Sequence, residues 1–331
     1  MKRSCLWLLA LTFNAWALPE GPNVVHGNVQ VVQPQGHILQ ILQSSPQAII
    51  NWNAFNIQAD QWVQFLQGNS QSVALNRVVG GDPSQILGQL SANGRVFLVN
   101  PNGILFGPQS TVNAGSFVAS TLQISDSDFL AGRYDFRQSP GHALASIVNQ
   151  GSLEVGDNGW LVLLSPLIDN QGLIVAQQGQ VVLGASQQAT LTLDPGGLLQ
   201  LALPDNPTGS AGPVLLSADQ ASSTLSQVIS ASSLVEAGSI VQTENGIVLQ
   251  GSEGVLLHQG QIDTQHLQMN SSQATVLAPQ SRIDSEAGFV EVLSQGTTWS
   301  GGSIRNTDGF VEISGANLGV YAPVDVGALG T

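Results

Sequence analysis

Cysteine, lysine and long apolar runs are almost missing from this chain. Cys5 and Lys2 are the single residues of their types, and both fall within the first 17 positions. Beyond that point no disulfide can form and no thiolate is present for redox chemistry or metal binding. No stretch approaches 18 continuous apolar residues, so no segment reads as a membrane-spanning helix. Charged residues make up 9% and aromatics 5% of the 331 residues. Past residue 17, six Arg stand against 22 acidic residues, a net charge of −16. Such a chain lacks the basic patch that nucleic acid or an anionic membrane requires for phosphate neutralisation. The acidity by itself keeps such a chain in solution.

What is present is strand and turn material. Hydrophobic residues reach 42% and there are 37 glycines, set among many Val, Leu, Ile, Gln, Asn and Ser. The first residues, Met1, Lys2 and Arg3, are followed by the apolar run "CLWLLALTF" and then "NAWA", which supplies Ala15 and Ala17 as the small residues of a cleavage site. Residues 1–17 read as a secretory signal peptide. Cys5 opens the apolar run, so it is not placed to carry a lipid at a mature terminus.

A period runs through the chain. "GSIVQT", "GQIDTQ", "SRIDSE", "GSIRNT" and "APVDVG" place Ile240, Ile262, Ile283, Ile304 and Val324 at intervals of 20 to 22 residues. "VNQGSLEV" and "DNQGLIVA" place Leu153 and Ile174 21 apart. Each unit has room for two or three short strands bounded by Gly, Asn, Asp or Ser, and none for an ordinary amphipathic helix. A strand-only unit of that size cannot bury its own apolar side, but stacked coils share one core. The expected fold is therefore all-β: a parallel β-helix of about 21 residues per coil, with the recurring Ile, Leu or Val facing inward. Asn149 and Asn170 recur two residues before a glycine and read as turn residues in the left-handed conformation.

The stretch "FLVNPNGILFG", Phe97 to Gly107, sets a turn between two apolar strands, Val96–Val99 and 104–106. Pro101 presets φ, and Asn102 with Gly103 is expected to take positive φ. Because a slip of one residue would reverse which side chains face the core, such a turn fixes register.

From about Gly27 to Gly132 the order "INW…FNI", "ALNRV", "SQILG", "ANGRVFLVNPNGI", "ASTL" resembles the N-terminal secretion domain of filamentous-haemagglutinin-type exoproteins, the passengers of two-partner secretion. That resemblance implies a right-handed β-helix with an N-terminal cap and extra-helical strands. It implies a cognate outer-membrane pore, with periplasmic receiving domains, as partner. It further implies export by the Sec route and the periplasm to the surface of a Gram-negative cell, as the start of an adhesin. The family's Asn-Pro-Asn-Gly-Ile motif falls on Asn100, Pro101, Asn102, Gly103 and Ile104, where it serves the fold, the partner, or both. The earlier Asn-x-Asn-Leu-type motif of other members has no equivalent here, "NWNAF" being a poor substitute, which resembles the subgroup of high-molecular-weight adhesins. On this reading residues 1–17 are the signal peptide, 18–237 the secretion domain and 238–331 the start of a repetitive shaft, truncated after Val324. Arg77 and Arg95 are two of the six late cations, expected to pair with an acid, to stack outside the helix, or to touch the partner.

Two other functions fit a β-helix: a self-sufficient glycan-binding protein, and a polysaccharide lyase or hydrolase. An enzyme needs clustered carboxylates, with or without calcium, or a basic proton acceptor. The candidates are thin: Asp126 with Asp128, Asp135 between Arg133 and Arg137, and Asp284 with Glu286 beside Arg282. His26, His37, His142, His258 and His266 show no metal spacing and read as surface or turn residues. No nucleophile elbow, phosphate loop or calcium repeat is present. The expectation is no catalysis, no metal and no cofactor. Trp52, Trp62, Trp160 and Trp299 are too scattered to mark a glycan platform.

Overall fold

Short strands with alternating burial close into coils. In Ile38–Gln43 every second residue is buried, and the same alternation runs through Trp62–Gln67. In the computed structural model, residues 18–193, 198–204, 238–243, 246–251 and 254–327 are described. Ala15 and Ala17 of the expected cleavage site lie outside them. The strands pair in parallel, coil on coil, into a three-sided right-handed β-helix spaced by about 22 residues. An N-terminal cap of antiparallel strands closes the first coil, Asn23–His26 on Gln47–Trp52 and Val29–Gln35 on Ile38–Gln43.

The first face carries the repeat read from the sequence. Leu39, Val63, Leu90, Val112, Leu153, Ile174, Ile262, Ile283, Ile304 and Val324 lie one above another in register. Leu153, Ile174 and Ile262 are wholly buried. Each such side chain contributes about 1.5–3 kcal/mol of hydrophobic stabilisation. Ile240 is a correction. It sits in an antiparallel hairpin, Gly238–Thr243 on Gly246–Gly251, and the stack passes directly from Ile174 to Ile262. The local pattern of that hairpin matches a coil, but strand pairing, which the pattern does not encode, places it apart.

The second face is apolar on both sides. Its outward residues Ile49, Leu75, Phe97, Val118, Val162 and Val182 are stacked in register. They are buried beneath a short helix, Asp126–Leu130, and a three-stranded antiparallel sheet of Tyr134–Arg137, Gln188–Leu193 and Leu199–Ala202. These are the extra-helical strands expected from the resemblance. One rung further the same row becomes Gln268 and then Glu291, hydrogen-bonded to each other at 2.9 Å. The outer surface turns polar where the cover ends, which is what burial requires.

The third face holds the larger corrections. Asn149 and Asn170 are not left-handed turn residues. They end the strands Ser146–Asn149 and Leu167–Asn170, point into the core and are wholly buried. Asn149 Nδ2 donates to Asn170 Oδ1 at 2.7 Å, and Asn170 Nδ2 lies 3.1 Å from His258 Nδ1 on the next rung. His258, expected at the surface, is likewise wholly buried. Burial without a charged partner pushes it down to about 4, so it is neutral at pH 7. A buried amide finds a partner most cheaply in an identical amide one coil away, so the Asn repeat forms a ladder, while Asn149 Oδ1 also accepts from Gly151 N–H at 3.1 Å, the bond to neighbouring backbone that the turn reading rests on. Beside it, a Cβ at Gly260 would overlap Gly172 O, and one at Gly172 would overlap Gly151 O, so only glycine allows these coils to approach.

Candidate functional site

The Asn100–Ile104 turn is a corner between the second and third faces. Arg95–Val99 leads in and Ile104–Phe106 leads out. Gly103 N–H donates to Asn100 C=O at 3.1 Å, closing a four-residue turn with Pro second and Gly fourth. Only Gly103 has positive φ, at 116°. The expectation of a left-handed Asn102 is therefore corrected, because the side chain of Asn100 does the work instead. Its Oδ1 accepts from the Asn102 backbone N–H at 2.9 Å, an Asx turn that leaves Asn102 in the ordinary region.

The corner also ties coils together. Asn100 is wholly buried, and its Nδ2 donates to Asp82 O and Ser84 Oγ, each at 3.0 Å. Asn102 Nδ2 reaches Gly80 O at 2.9 Å. Ser84 N–H, in the preceding coil, donates to Gly103 O, while Asn100 N–H donates to Ser120 O in the following coil. Removing the Asn100 amide strands the buried Ser84 hydroxyl, at about 1–3 kcal/mol. Ile104 packs between Ser84 and Ile147 of the flanking coils. Phe106 meets Phe117 edge to face at 5.9 Å.

Arg77 stands opposite Val99, beside this corner. Its guanidinium forms an ion pair with Asp126 at 2.7 Å and donates to Ile124 O at 2.8 Å, tethering the start of the extra-helical helix to the coil. Arg95 is at the far end of the same strand, roughly 13 Å along it, so the two cations do not share a site. Its guanidinium lies 4.5 Å above the Trp160 ring and donates to Gln71. Partial burial pulls its pKa down, opposed by Tyr134, whose own pKa burial raises.

The remaining charges seen in the sequence are mostly tied to one another. Asp128 is held below its ordinary range by hydrogen bonds from Ser125 and Arg133. Asp284 pairs with Arg282 on the same strand. Among the described residues no group of three or more His, Cys, Asp or Glu is placed to hold a metal ion. No described helix is long and apolar enough to cross a membrane.

Sequence reasoning missed Asn76, which is wholly buried between Trp52 Nε1 at 3.0 Å and Phe97 O at 3.3 Å. It also missed Asp169. That carboxylate lies in the outward row of the third face, between Val148 and Leu257. Burial pushes it up to about 6, against hydrogen bonds from Gln171 and Gln259. The signal for the His258 rung was available: Asn149-Gln150-Gly151, Asn170-Gln171-Gly172 and His258-Gln259-Gly260 are one motif with a single change.

The model of the TPS secretion domain family matches residues 17–264. A heme/hemopexin-binding protein of Haemophilus influenzae is 32% identical over 196 residues, which are 57% of this chain and 21% of that protein. A second heme/hemopexin-binding protein of that organism is 36% identical over 118 residues, 36% of this chain and 13% of its own length. The chain thus spans about a fifth or less of the curated relatives it matches. The crystal structure of the HMW1 secretion domain from Haemophilus influenzae superposes with a TM-score of 0.55 at 24% identity, covering 94% of this chain and 99% of that one. The corner at Asn100 and the coils around it therefore lie within a match covering most of the chain, and the chain belongs to the TPS secretion domain family, the modules that direct export in two-partner secretion.

Proposed function

We propose that this chain is the leading module of a longer secreted, adhesin-type exoprotein, bound in the periplasm by a cognate outer-membrane pore and folding at the surface of a Gram-negative cell. Residues 1–17 would carry it through the Sec route as a signal peptide. Residues 18–237 would be the secretion domain proper and 238–331 the start of the shaft. The absence of Cys after residue 17 supports this route, since a chain that crosses the periplasm unfolded must avoid disulfides.

The observation that carries the proposal is the corner Asn100, Pro101, Asn102, Gly103, Ile104, within a stretch that matches the family. Its hydrogen bonds reach the coils on both sides, so it cannot form until three coils are in register. Its main role is to set register during folding outside the cell. Half-buried Asn102 is the member of the motif open to the partner. Arg77 serves the fold by holding the helix, and the module acts by recognition, not catalysis. Asp126, Asp128 and Asp284 are each neutralised by an Arg, which leaves no free carboxylate pair among them for acid/base work.

The test is release of the chain with and without the co-expressed cognate pore, for the native sequence and for Asn100→Ala and Asn102→Ala. Pore-dependent release is expected. Asn100→Ala should lower it together with the stability of the purified protein, and Asn102→Ala should lower it with circular dichroism unchanged. Release that ignores the pore would overturn the proposal.

A further inference from the structure

The left-handed backbone of this protein gathers at one corner, between the first and second faces. Among the described residues, Asn158, Ala287 and Asp308 are the only non-glycine residues with positive φ, at 57°, 52° and 59°. All three are exposed, and they follow the first-face strands Ser152–Val155, Arg282–Glu286 and Ser303–Thr307. Each precedes a glycine pressed onto the coil before it. A Cβ at Gly159 would overlap Gly115 O, one at Gly288 would overlap Gln265 O, and one at Gly309 would overlap Gly288 O. The corner therefore requires the glycine but no particular side chain before it, since Ala287 serves where Asn158 and Asp308 do in other coils.

An Asn before Gly carries a chemistry of its own. No side chain on the glycine shields its backbone nitrogen, which loses its proton to solvent and attacks the Asn Cγ. The N–Cγ bond forms, the Cγ–Nδ2 bond breaks, and ammonia departs from a five-membered succinimide. Water then opens the ring at either carbonyl, yielding Asp or isoaspartate, in which the main chain runs through Cβ. Water is the only co-reactant.

Four Asn-Gly pairs occur in the sequence, at Asn93, Asn102, Asn158 and Asn245, the last outside the described residues. Asn93 Oδ1 accepts from Gln67 N–H and its Nδ2 donates to Gln67 O, each at 2.8 Å. Asn102 Nδ2 donates to Gly80 O at 2.9 Å and to Asn100 Oδ1 at 3.1 Å. In both pairs, bringing Cγ onto the next nitrogen first breaks two hydrogen bonds. The Asn158 side chain makes none among the described residues, while its backbone N–H is held by Gln178 O at 3.1 Å. Gly159 N–H is bound to Gly156 O at 2.9 Å, but Gly103 N–H is bound in the same way to Asn100 O, so side-chain freedom is what separates these two sites. Gly156, Asp157 and Asn158 are all exposed, so this turn opens without unpacking the core.

We propose that Asn158 is a site of spontaneous modification in the folded protein, converting through the Gly159 succinimide mainly to isoaspartate, while Asn93 and Asn102 are preserved. The added main-chain atom enters where the coils are tied together. Gly159 O accepts from Gln180 N–H at 3.0 Å, and Trp160 N–H donates to Ser116 Oγ at 3.1 Å. Conversion loosens the start of Trp160–Ser165 on both neighbouring coils. It proceeds whether or not a pore exports the chain.

The experiment incubates the purified chain in mildly alkaline buffer, native and in urea, and follows the three described Asn-Gly pairs by peptide mass spectrometry. Labelling with a protein isoaspartyl methyltransferase separates isoaspartate from Asp. In the native chain Asn158 should convert about tenfold faster than Asn93 and Asn102, the two hydrogen bonds at each of those being the difference. In urea the three rates should converge. Aged native protein should show faster amide exchange at Trp160 and Gln180. Asn158→Ala, which borrows the residue of the Ala287 corner, should abolish both the product and that change. If this variant fails to fold, the comparison of the three pairs within the native chain still decides. Equal native rates at the three pairs, Asp without isoaspartate, or unchanged exchange in converted protein would overturn the proposal.

Discussion

His258 and Asp169 set two opposing pH dependences on adjacent coils. The unfolded chain protonates His258 near 6.5, whereas the native one waits until about 4. As pH falls through that window the unfolded state gains the proton first, so stability is lost, by about 3 kcal/mol at about 1.4 kcal/mol per tenfold in proton concentration. Asp169 works in reverse. The native chain protonates it at about 6 and the unfolded chain near 3.8, so stability is gained as pH falls, again by about 3 kcal/mol. In the native sequence the two nearly cancel between pH 4 and 6. His258→Asn continues the Asn149–Asn170 ladder with a group that does not titrate, so it should expose Asp169, and stability should rise by about 3 kcal/mol from pH 6.5 to 4. Asp169→Asn should expose His258, and stability should fall by about the same amount over the same interval. Urea unfolding at half-unit steps from pH 4 to 7.5, read as midpoint and slope, measures both. Parallel curves for the two variants, within about 1 kcal/mol of the native profile, would refute the burial argument for both groups.

Leu153→Ala, in the middle of the first-face stack, should lower unfolding free energy by about 2–5 kcal/mol in urea titration, because rigid coils above and below cannot collapse on the cavity. Gly260→Ala should destabilise more than an ordinary surface substitution, with the loss read as a lower melting temperature and faster amide exchange in Val255–His258. Arg77→Met should cost about 1–3 kcal/mol, through the carbonyl of Ile124 and the ion pair to Asp126. Hydrogen exchange should then show the helix Asp126–Leu130 opening before the coils do.

The Asn residues show where reading the sequence stops. Asn149 and Asn170 before Gly read locally as turn residues, since Asn favours such positions, and only the stacking of identical residues from consecutive coils makes the inward orientation the cheaper one. At Asn102 a local preference for positive φ yields to an Asx turn made by its neighbour Asn100. Arg95 stands out in the sequence as a rare cation, but its company could not be inferred. Trp160, 65 positions later, reaches it through strand pairing alone.

By itself the sequence determined the class of fold, the coil period, the inward stack from Leu153 through Val324 and the family corner at Asn100 to Ile104. All of these rest on residues close in the chain, or on a period that repeats because each coil must bury the same edge. The tertiary structure alone decided what covers the outer side of the second face, that His258 and Asp169 are buried, that Ile240 stands outside the stack, and that Arg95 lies over Trp160. Those features depend on which distant segments meet. Coils can follow one another after 21 residues or after 88, as between Ile174 and Ile262, with the same hydrogen-bonded register, and the local pattern carries no record of which.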